Sequence, residues 1–207
     1  PYDVNWVADA VANPEPWGER AKGEFRIVYI GMTAGRPFKG LMTLIDAANR
    51  MKDSGVRLTV VSTGIGCDNI DIVMNELDAL ANVDFATRAV RPPERRRSLR
   101  IVRLGTSGAL RPEIRLGDRV MSVVSGGIDG LLNFYGGSES VCDRAMEEAF
   151  VRQTGWSDRL ARPYFVHNDP SLIELFRDTA LPGLTLSAPG FYAPQGRVVR
   201  LPLADPA

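Results

Sequence analysis

The run Leu99–Gly105, LRIVRLG, is rich in branched aliphatic residues and shows no period-two alternation. Continuous apolar character of this kind is expected of a strand buried on both faces, in the middle of a sheet covered by helices. The remaining runs fit such a sheet. FRIVYIG (25–31) reads as a buried strand. GLMTLIDAANRMKDSG (40–55) reads as a helix, with Leu41, Leu44, Ile45, Ala48 and Met51 on one face and Gly55 as its stop. RLTVVS (57–62) is a second strand, and TGIG turns it into the helix DNIDIVMNELDALANV. There Asp68 is placed to cap, and Ile70, Val73, Met74, Leu77, Leu80 and Ala81 make the buried face. RVMSVVS (119–125) is a strand ending at Gly126 and Gly127, CDRAMEEAFVRQTG (142–155) a helix, PYFVHN a short strand and SLIELFRDTA a short helix. GLTLSAPGFY (183–192) is the last strand, leading into a loop. The opening residues, with Pro14, Pro16 and Gly18, read as a short helical piece and a loop. Strands alternating with helices, and no internal repeat, define an α/β protein.

With 207 residues, 44% of them hydrophobic, the chain can bury a substantial core as one domain, or one domain with a small lobe. Basic and acidic residues balance at 25 each, so no net field draws nucleic acid or an anionic membrane. The expected ligand is therefore small and met by a local cluster. The main charge run, RAVRPPERRRSL (88–99), has no interleaved aromatics and reads as a solvated loop or hairpin excursion. Cys67 and Cys142 stand alone, without the Cys/His spacing of a metal site or a disulfide framework, as expected in the cytoplasm. No apolar run reaches the roughly 18 residues of a membrane span. Asp3 and Asp9 stand where a secretion signal needs a basic start and an apolar centre. A chain beginning at Pro1 is expected to be a fragment.

Candidate chemistry collects at three loops. Gly64-Ile65-Gly66 sits between a strand and a helix N-terminus, where backbone N–H groups can meet an anion; a tight turn explains the same pattern. Arg103 closes the run that opened this section, followed by Gly105, Thr106, Ser107 and Gly108. A guanidinium, two hydroxyls and close backbone approach suit a phosphate at the carboxyl end of a strand; an arginine paired to a carboxylate is the alternative. Pro189–Arg197, PGFYAPQGR, offers Phe191 and Tyr192 to stack on, the Gln195 amide and the Arg197 cation, a set suited to a flat heterocycle or simply a surface turn. His167 has no nucleophile paired to it and reads as a strand-end residue. Glu147 and Glu148 are expected on a solvated helix face.

From Ser62 onward the chain resembles the nucleoside phosphorylase family, in its uridine phosphorylase-like branch. STGIGCDNIDIVMNELDAL, LRIVRLGTSGALRPEIRLGDRVMS and SAPGFYAPQGRVVRLPL carry the resemblance, in the family's order. It implies a central mixed β-sheet wrapped by helices in three layers, a homo-oligomer, and phosphorolysis of a pyrimidine nucleoside to free base and ribose 1-phosphate. By resemblance, Arg103 and Thr106 are phosphate ligands, with Thr106 also near the ribose. Gly66 and Gly105 bring backbone to the substrate, Phe191 lines the base pocket, and Gln195 and Arg197 hydrogen-bond the pyrimidine. Inorganic phosphate is the co-substrate and nucleophile, so no cofactor or metal is implied. Neither nucleic acid nor a membrane is an expected partner.

Three departures qualify the resemblance. The family's N-terminal phosphate loop has no counterpart before Ser62, and its later segment with the ribose-binding methionine and glutamate is missing from a sequence that stops at Ala207. Residues 25–61 resemble instead the donor-binding half of a retaining two-Rossmann-domain glycosyltransferase, with Gly31, Arg36 and Lys39 at its diphosphate positions. The expected organisation is a mosaic: a βα segment at 1–61 and a phosphorylase-like core at 62–207, incomplete at both ends. A non-catalytic remnant that keeps only a nucleobase pocket is the alternative function, and glycosyltransfer the third.

Overall fold

The structure, a computed structural model, describes residues 26–31, 57–62, 67–99 and 101–204. The expected helix at 40–55 lies outside them. The chain divides into two units: Pro1–Ile65 with Ile72–Thr106, and Gly66–Asp71 with Ser107–Ala207.

In the first unit, β1 (Arg26–Gly31) and β2 (Arg57–Ser62) pair in parallel, Ile27 opposite Leu58 and Ile30 opposite Val61. Parallel neighbours need a crossover of a dozen or more residues, and the stretch 32–56 is long enough to provide it. α1 (Asp68–Asn82) buries Leu77 and Ala81 and half-buries Ile70 and Val73, a stripe at helical spacing. Met74 and Leu80, expected on that face, flank it and are exposed.

The charge run follows α1 as a small excursion. β3 (Val83–Asp84) and β4 (Ala89–Val90) form an antiparallel hairpin. Its turn is held by Asp84 Oδ1, which accepts from Ala86 N at 3.0 Å and Thr87 N at 3.3 Å. Pro93–Arg95 then make a 3-10 turn. Buried Asn82 closes the excursion. Its Oδ1 accepts from Arg97 N at 2.7 Å, its Nδ2 donates to Arg97 O at 3.2 Å and to Asp78 Oδ1 at 2.7 Å, and its carbonyl accepts from Arg91 N at 2.8 Å.

The run at 99–105 departs from its expected form. Residues 101–109 have no regular secondary structure; Ile101 and Val102 are half-buried, and Arg103 through Leu110 are exposed. An apolar run becomes a strand only where an edge presents N–H and C=O groups to pair with. No described strand offers this run a ladder.

The second unit is built on a mixed sheet of order β6-β5-β7. β5 (Val120–Gly127) pairs antiparallel with β6 (Tyr164–His167) and parallel with β7 (Leu181–Ser187). The register on β7 slips between Ser122 and Val124, and the carbonyl of the intervening Val123 accepts from Asn168 N at 3.0 Å. Ser122 Oγ and Thr185 Oγ1 share a hydrogen bond of 2.7 Å across the β5/β7 pair. Pro182 sits in β7, on the edge of this sheet, where a missing N–H is tolerated.

Gly126 and Gly127 do not end β5 as expected; they are its last two ladder residues, buried beneath aromatic rings. Each lies opposite an aromatic residue of β6, Gly126 opposite Phe165 and Gly127 opposite Tyr164. A Cβ on Gly127 would fall 2.1 Å from Tyr164 Cζ, and one on Gly126 2.6 Å from Phe165 Cε1. Gly127→Ala is therefore expected to push the ring off the strand and destabilise the unit by about 1–3 kcal/mol. A denaturant midpoint equal to that of the parent would show that Tyr164 moves aside without cost.

α2 (Arg144–Thr154) starts at the cap Asp143, whose side chain accepts from Met146 N at 3.0 Å, and stops at Gly155 in the left-handed region (φ 60). It packs on β6 through Phe150, whose ring lies 5.4 Å from Phe165 and 5.5 Å from Trp156. Glu147, expected in solvent, is instead fully buried on this face. Its Oε2 accepts from Arg144 Nη1 at 2.6 Å and lies 3.6 Å from Arg162 Nε. Burial, and then the Glu147 carboxylate, push the Cys142 thiol above its ordinary pKa. Glu148 is exposed. α3 (Pro170–Phe176) packs on β5, with Asp169 as its cap.

His167, at the end of β6, places Nε2 2.9 Å from Asp143 Oδ2. This hydrogen bond, and then that from Met146 N, hold the Asp143 carboxyl below the ordinary carboxylate range. A carboxyl depressed by folding contributes stability above its unfolded value, near pH 4, and that contribution is lost as pH falls through the folded value. Asp143→Asn is expected to flatten the acid limb of the stability profile below about pH 4. Parallel acid titrations of parent and variant, followed by circular dichroism, check this; superimposable limbs would count against it.

Candidate functional site

β7 delivers the polypeptide to the candidate base loop. After Ser187, the residues Ala188, Pro189 and Gly190 lead to Phe191 and Tyr192, and Ala193–Gln195 form a 3-10 turn that ends at Gly196 (φ 68). Successive carbonyls inside the loop are taken by the residues that follow the turn. Gly190 O accepts from Gln195 Nε2 at 3.0 Å, Phe191 O from Arg197 Nη1 at 3.2 Å, and Tyr192 O from Arg197 N at 3.0 Å and Gln195 N at 2.9 Å. Gly190 also admits the Pro194 ring, since a Cβ there would meet Pro194 Cγ at 3.0 Å. Phe191 and Tyr192 stand edge to face with centroids 5.4 Å apart, and the Arg197 guanidinium carbon lies 4.1 Å above the Phe191 centroid. Phe191, Gln195 and Arg197 are thus gathered on one turn, all exposed. The surface turn weighed for this stretch is present, and it carries the stacking and hydrogen-bonding groups together.

Gly108, in the glycine-hydroxyl segment, lies against the same loop. A Cβ on it would fall 3.4 Å from Arg197 Nη2. That is ordinary van der Waals distance, so the contact places Gly108 beside Arg197 without requiring a glycine there.

Arg103, Gly105 and Thr106 belong to the first unit and are exposed, in a segment without regular structure. Arg103 has no hydrogen bond or ion pair among the described residues, so the carboxylate partner weighed for it is not found there. A Cβ on Gly105 would meet nothing within 4 Å among the described residues. Gly66, with Gly64 and Ile65, lies outside the described residues, as do Arg36 and Lys39; Gly31 is the last residue of β1.

A group that the sequence did not single out lies at the carboxyl ends of β5 and β7. The Tyr164 hydroxyl donates to Asp129 Oδ1 at 2.7 Å, and the same oxygen accepts from Leu131 N at 2.8 Å. Burial, and then the hydrogen bond to Asp129, raise the Tyr164 phenol well above its ordinary pKa, so it acts as a fixed donor. Cys67 Sγ lies 3.9 Å from Ala188 O, which ties the start of α1 to the first residue after β7. The signal available in the sequence was only an aspartate shortly after the glycine pair. Among the described residues, no group of three His, Cys, Asp or Glu side chains could hold a metal ion, and no helix is long and apolar enough to cross a membrane.

The chain matches the family model described as the phosphorylase superfamily over residues 43–205. This range begins inside the segment 25–61 that resembles a glycosyltransferase. Among solved structures, it is similar to a Trypanosoma brucei nucleoside phosphorylase described as showing uridine phosphorylase activity, with a TM-score of 0.62 and 21% identity. The likeness covers 84% of this chain and 66% of that one, and it shows a shared α/β fold with a mixed sheet flanked by helices. No curated protein sequence matches.

Proposed function

The chain belongs to the phosphorylase superfamily, and from that premise we propose that it is a nucleoside phosphorylase acting on a uridine-like pyrimidine nucleoside. The observation that carries this reading is the turn at 191–197. It offers an aromatic face at Phe191, an amide at Gln195 and a guanidinium at Arg197 from one short loop at the carboxyl end of a parallel strand. Arg103 and Thr106 meet the phosphate in this reading, with backbone at Gly66 and Gly105 approaching the substrate. A phosphate oxygen forms a bond to C1′ of the ribose as the C1′–N1 bond breaks, and the bonding pair leaves with the base, which then takes a proton. Positive charge develops on the ribose between two anions, so fixed donors at phosphate and base stabilise the transition state more than the ground state. Phosphate supplies the nucleophile, and the protein has only to position and stabilise.

Incubation with uridine and inorganic phosphate should yield uracil and ribose 1-phosphate in equal amounts, dependent on phosphate. Folded protein that releases neither free base nor pentose 1-phosphate from uridine, thymidine or inosine would overturn the enzyme reading. A second reading is a nucleobase-binding module without turnover. It is favoured by the base-side residues being gathered on one turn while Arg103 stands without a partner among the described residues. Calorimetry separates the two, since the module binds uracil without turning uridine over.

A further inference from the structure

We propose that the arginine-rich excursion at 88–97 draws the phosphate co-substrate toward Arg103 by its electric field, without touching the reacting atoms. This rests on the reading of Arg103 as the phosphate ligand, and it gives a function to a charge run that the reaction itself leaves unused.

The excursion concentrates a charge that the chain as a whole lacks. Residues 88–100 hold six arginines and one glutamate, so with 25 basic and 25 acidic residues in total the rest of the chain carries a net charge of −5. Arg88, Arg95 and Arg96 are exposed, and neither they nor Arg91 make an ion pair among the described residues. The neighbouring carboxylates are turned elsewhere. Asp84 accepts from the N–H groups of Ala86 and Thr87, Asp78 accepts from Asn82, and Glu94 has no ion pair among the described residues. Arg88 stands in the left-handed region (φ 55), where glycine or asparagine is less strained. Its side chain makes no hydrogen bond among the described residues that would offset this strain; what it adds is charge.

The excursion and Arg103 belong to the same unit. Asn82 holds the end of the excursion through both the N–H and the C=O of Arg97, and the six residues from there to Arg103 span at most about 22 Å even when fully extended. That is inside the screening length of about 30 Å in 0.01 M salt and outside the roughly 8 Å of 0.15 M salt. The attraction is therefore strong in dilute buffer and fades as salt is added. It also sorts the two substrates, since phosphate is an anion and an uncharged nucleoside feels no such pull. Local fields of one sign raise the concentration and capture rate of an oppositely charged substrate by about 10–10³-fold.

Initial-rate kinetics on the whole chain test this with Arg88→Asn, Arg95→Gln and Arg96→Gln combined. In buffer of about 10 mM ionic strength, kcat/KM for phosphate should fall about tenfold, and at about 0.5 M the fall should shrink to less than about twofold. The kcat/KM for uridine at saturating phosphate should change little at either salt concentration. Lysine at the same three positions should keep the parent's rate, because a field needs the charge and a bound phosphate needs the fork. Arg88→Asn alone should show the same salt-dependent loss at smaller size, with a urea midpoint equal to or above that of the parent. No loss at low salt, a loss of equal size at both salt concentrations, or an equal loss on the uridine side would overturn the proposal and leave Arg103 as the phosphate ligand. A parent without phosphate-dependent turnover would overturn the phosphorylase reading, and the role of the excursion with it.

Discussion

Glu147→Ala is expected to lower the unfolding free energy by about 3 kcal/mol, near the bottom of the range for breaking a buried ion pair. The carboxylate is fully buried and is the only charge that Arg144 and Arg162 share among the described residues. Both arginines are about half exposed and can recover water when it is lost, which keeps the effect from the top of the range. The fully buried side-chain volume that is removed adds a cavity term. Glu147→Gln keeps that volume and one accepting oxygen, and should cost less. Urea unfolding of the three proteins gives the comparison. A shift below about 0.5 kcal/mol for the alanine variant, the size usual for surface substitutions, would mean that the arginines are solvated without needing Glu147.

Arg103→Ala carries the largest expected effect on activity. If Arg103 meets phosphate as proposed, its loss should lower kcat/KM for uridine by about 10²–10³-fold, the scale seen when one donor to developing charge is removed. The effect should appear in the KM for phosphate as well as in kcat, and much less in the affinity for uracil. Stability should be unchanged, because Arg103 is exposed and makes no hydrogen bond or ion pair among the described residues. Initial rates at several phosphate concentrations measure this. A variant within threefold of the parent would remove Arg103 from the phosphate side of the site. Arg103→Lys should recover part of the rate, since it returns the charge without the fork.

The elements that punctuation marks were legible in the sequence. α2 begins at an aspartate cap and stops at Gly155, and both signals are local. The alternation of strands with helices pointed to an α/β protein, and the family resemblance to the mixed sheet flanked by helices that the fold comparison shows. Features that depend on partners distant in sequence were not legible. Leu99–Gly105 has the composition of a buried strand, yet ladder formation is decided by a neighbour with free N–H and C=O groups, which composition does not report. Glu147 was read as solvated because carboxylates are rarely buried. Its place on the stripe with Phe150 and Val151, three and four residues on, was the available warning, but Arg162 could be found only in space. Gly126 and Gly127 looked like a stop, whereas the rings of Phe165 and Tyr164 lie across them.

The base side of the candidate site was legible because Phe191, Gln195 and Arg197 lie within seven residues on a turn rich in glycine and proline. The Asp129–Tyr164 pair was not, because its two members lie 35 residues apart in the chain.

The Asn82 amide carries a consequence for how this chain can change in length. Because Asn82 bonds to both the N–H and the C=O of Arg97, the two ends of the arginine-rich excursion are stapled together, independently of what lies between them. Adding residues to a loop whose ends are already fixed costs little, since closure entropy grows only with the logarithm of length. Residues 85–96 thus behave as a cassette. Peptides can be exchanged or spliced there while the end of α1 and the start of the segment leading to Arg103 keep their places.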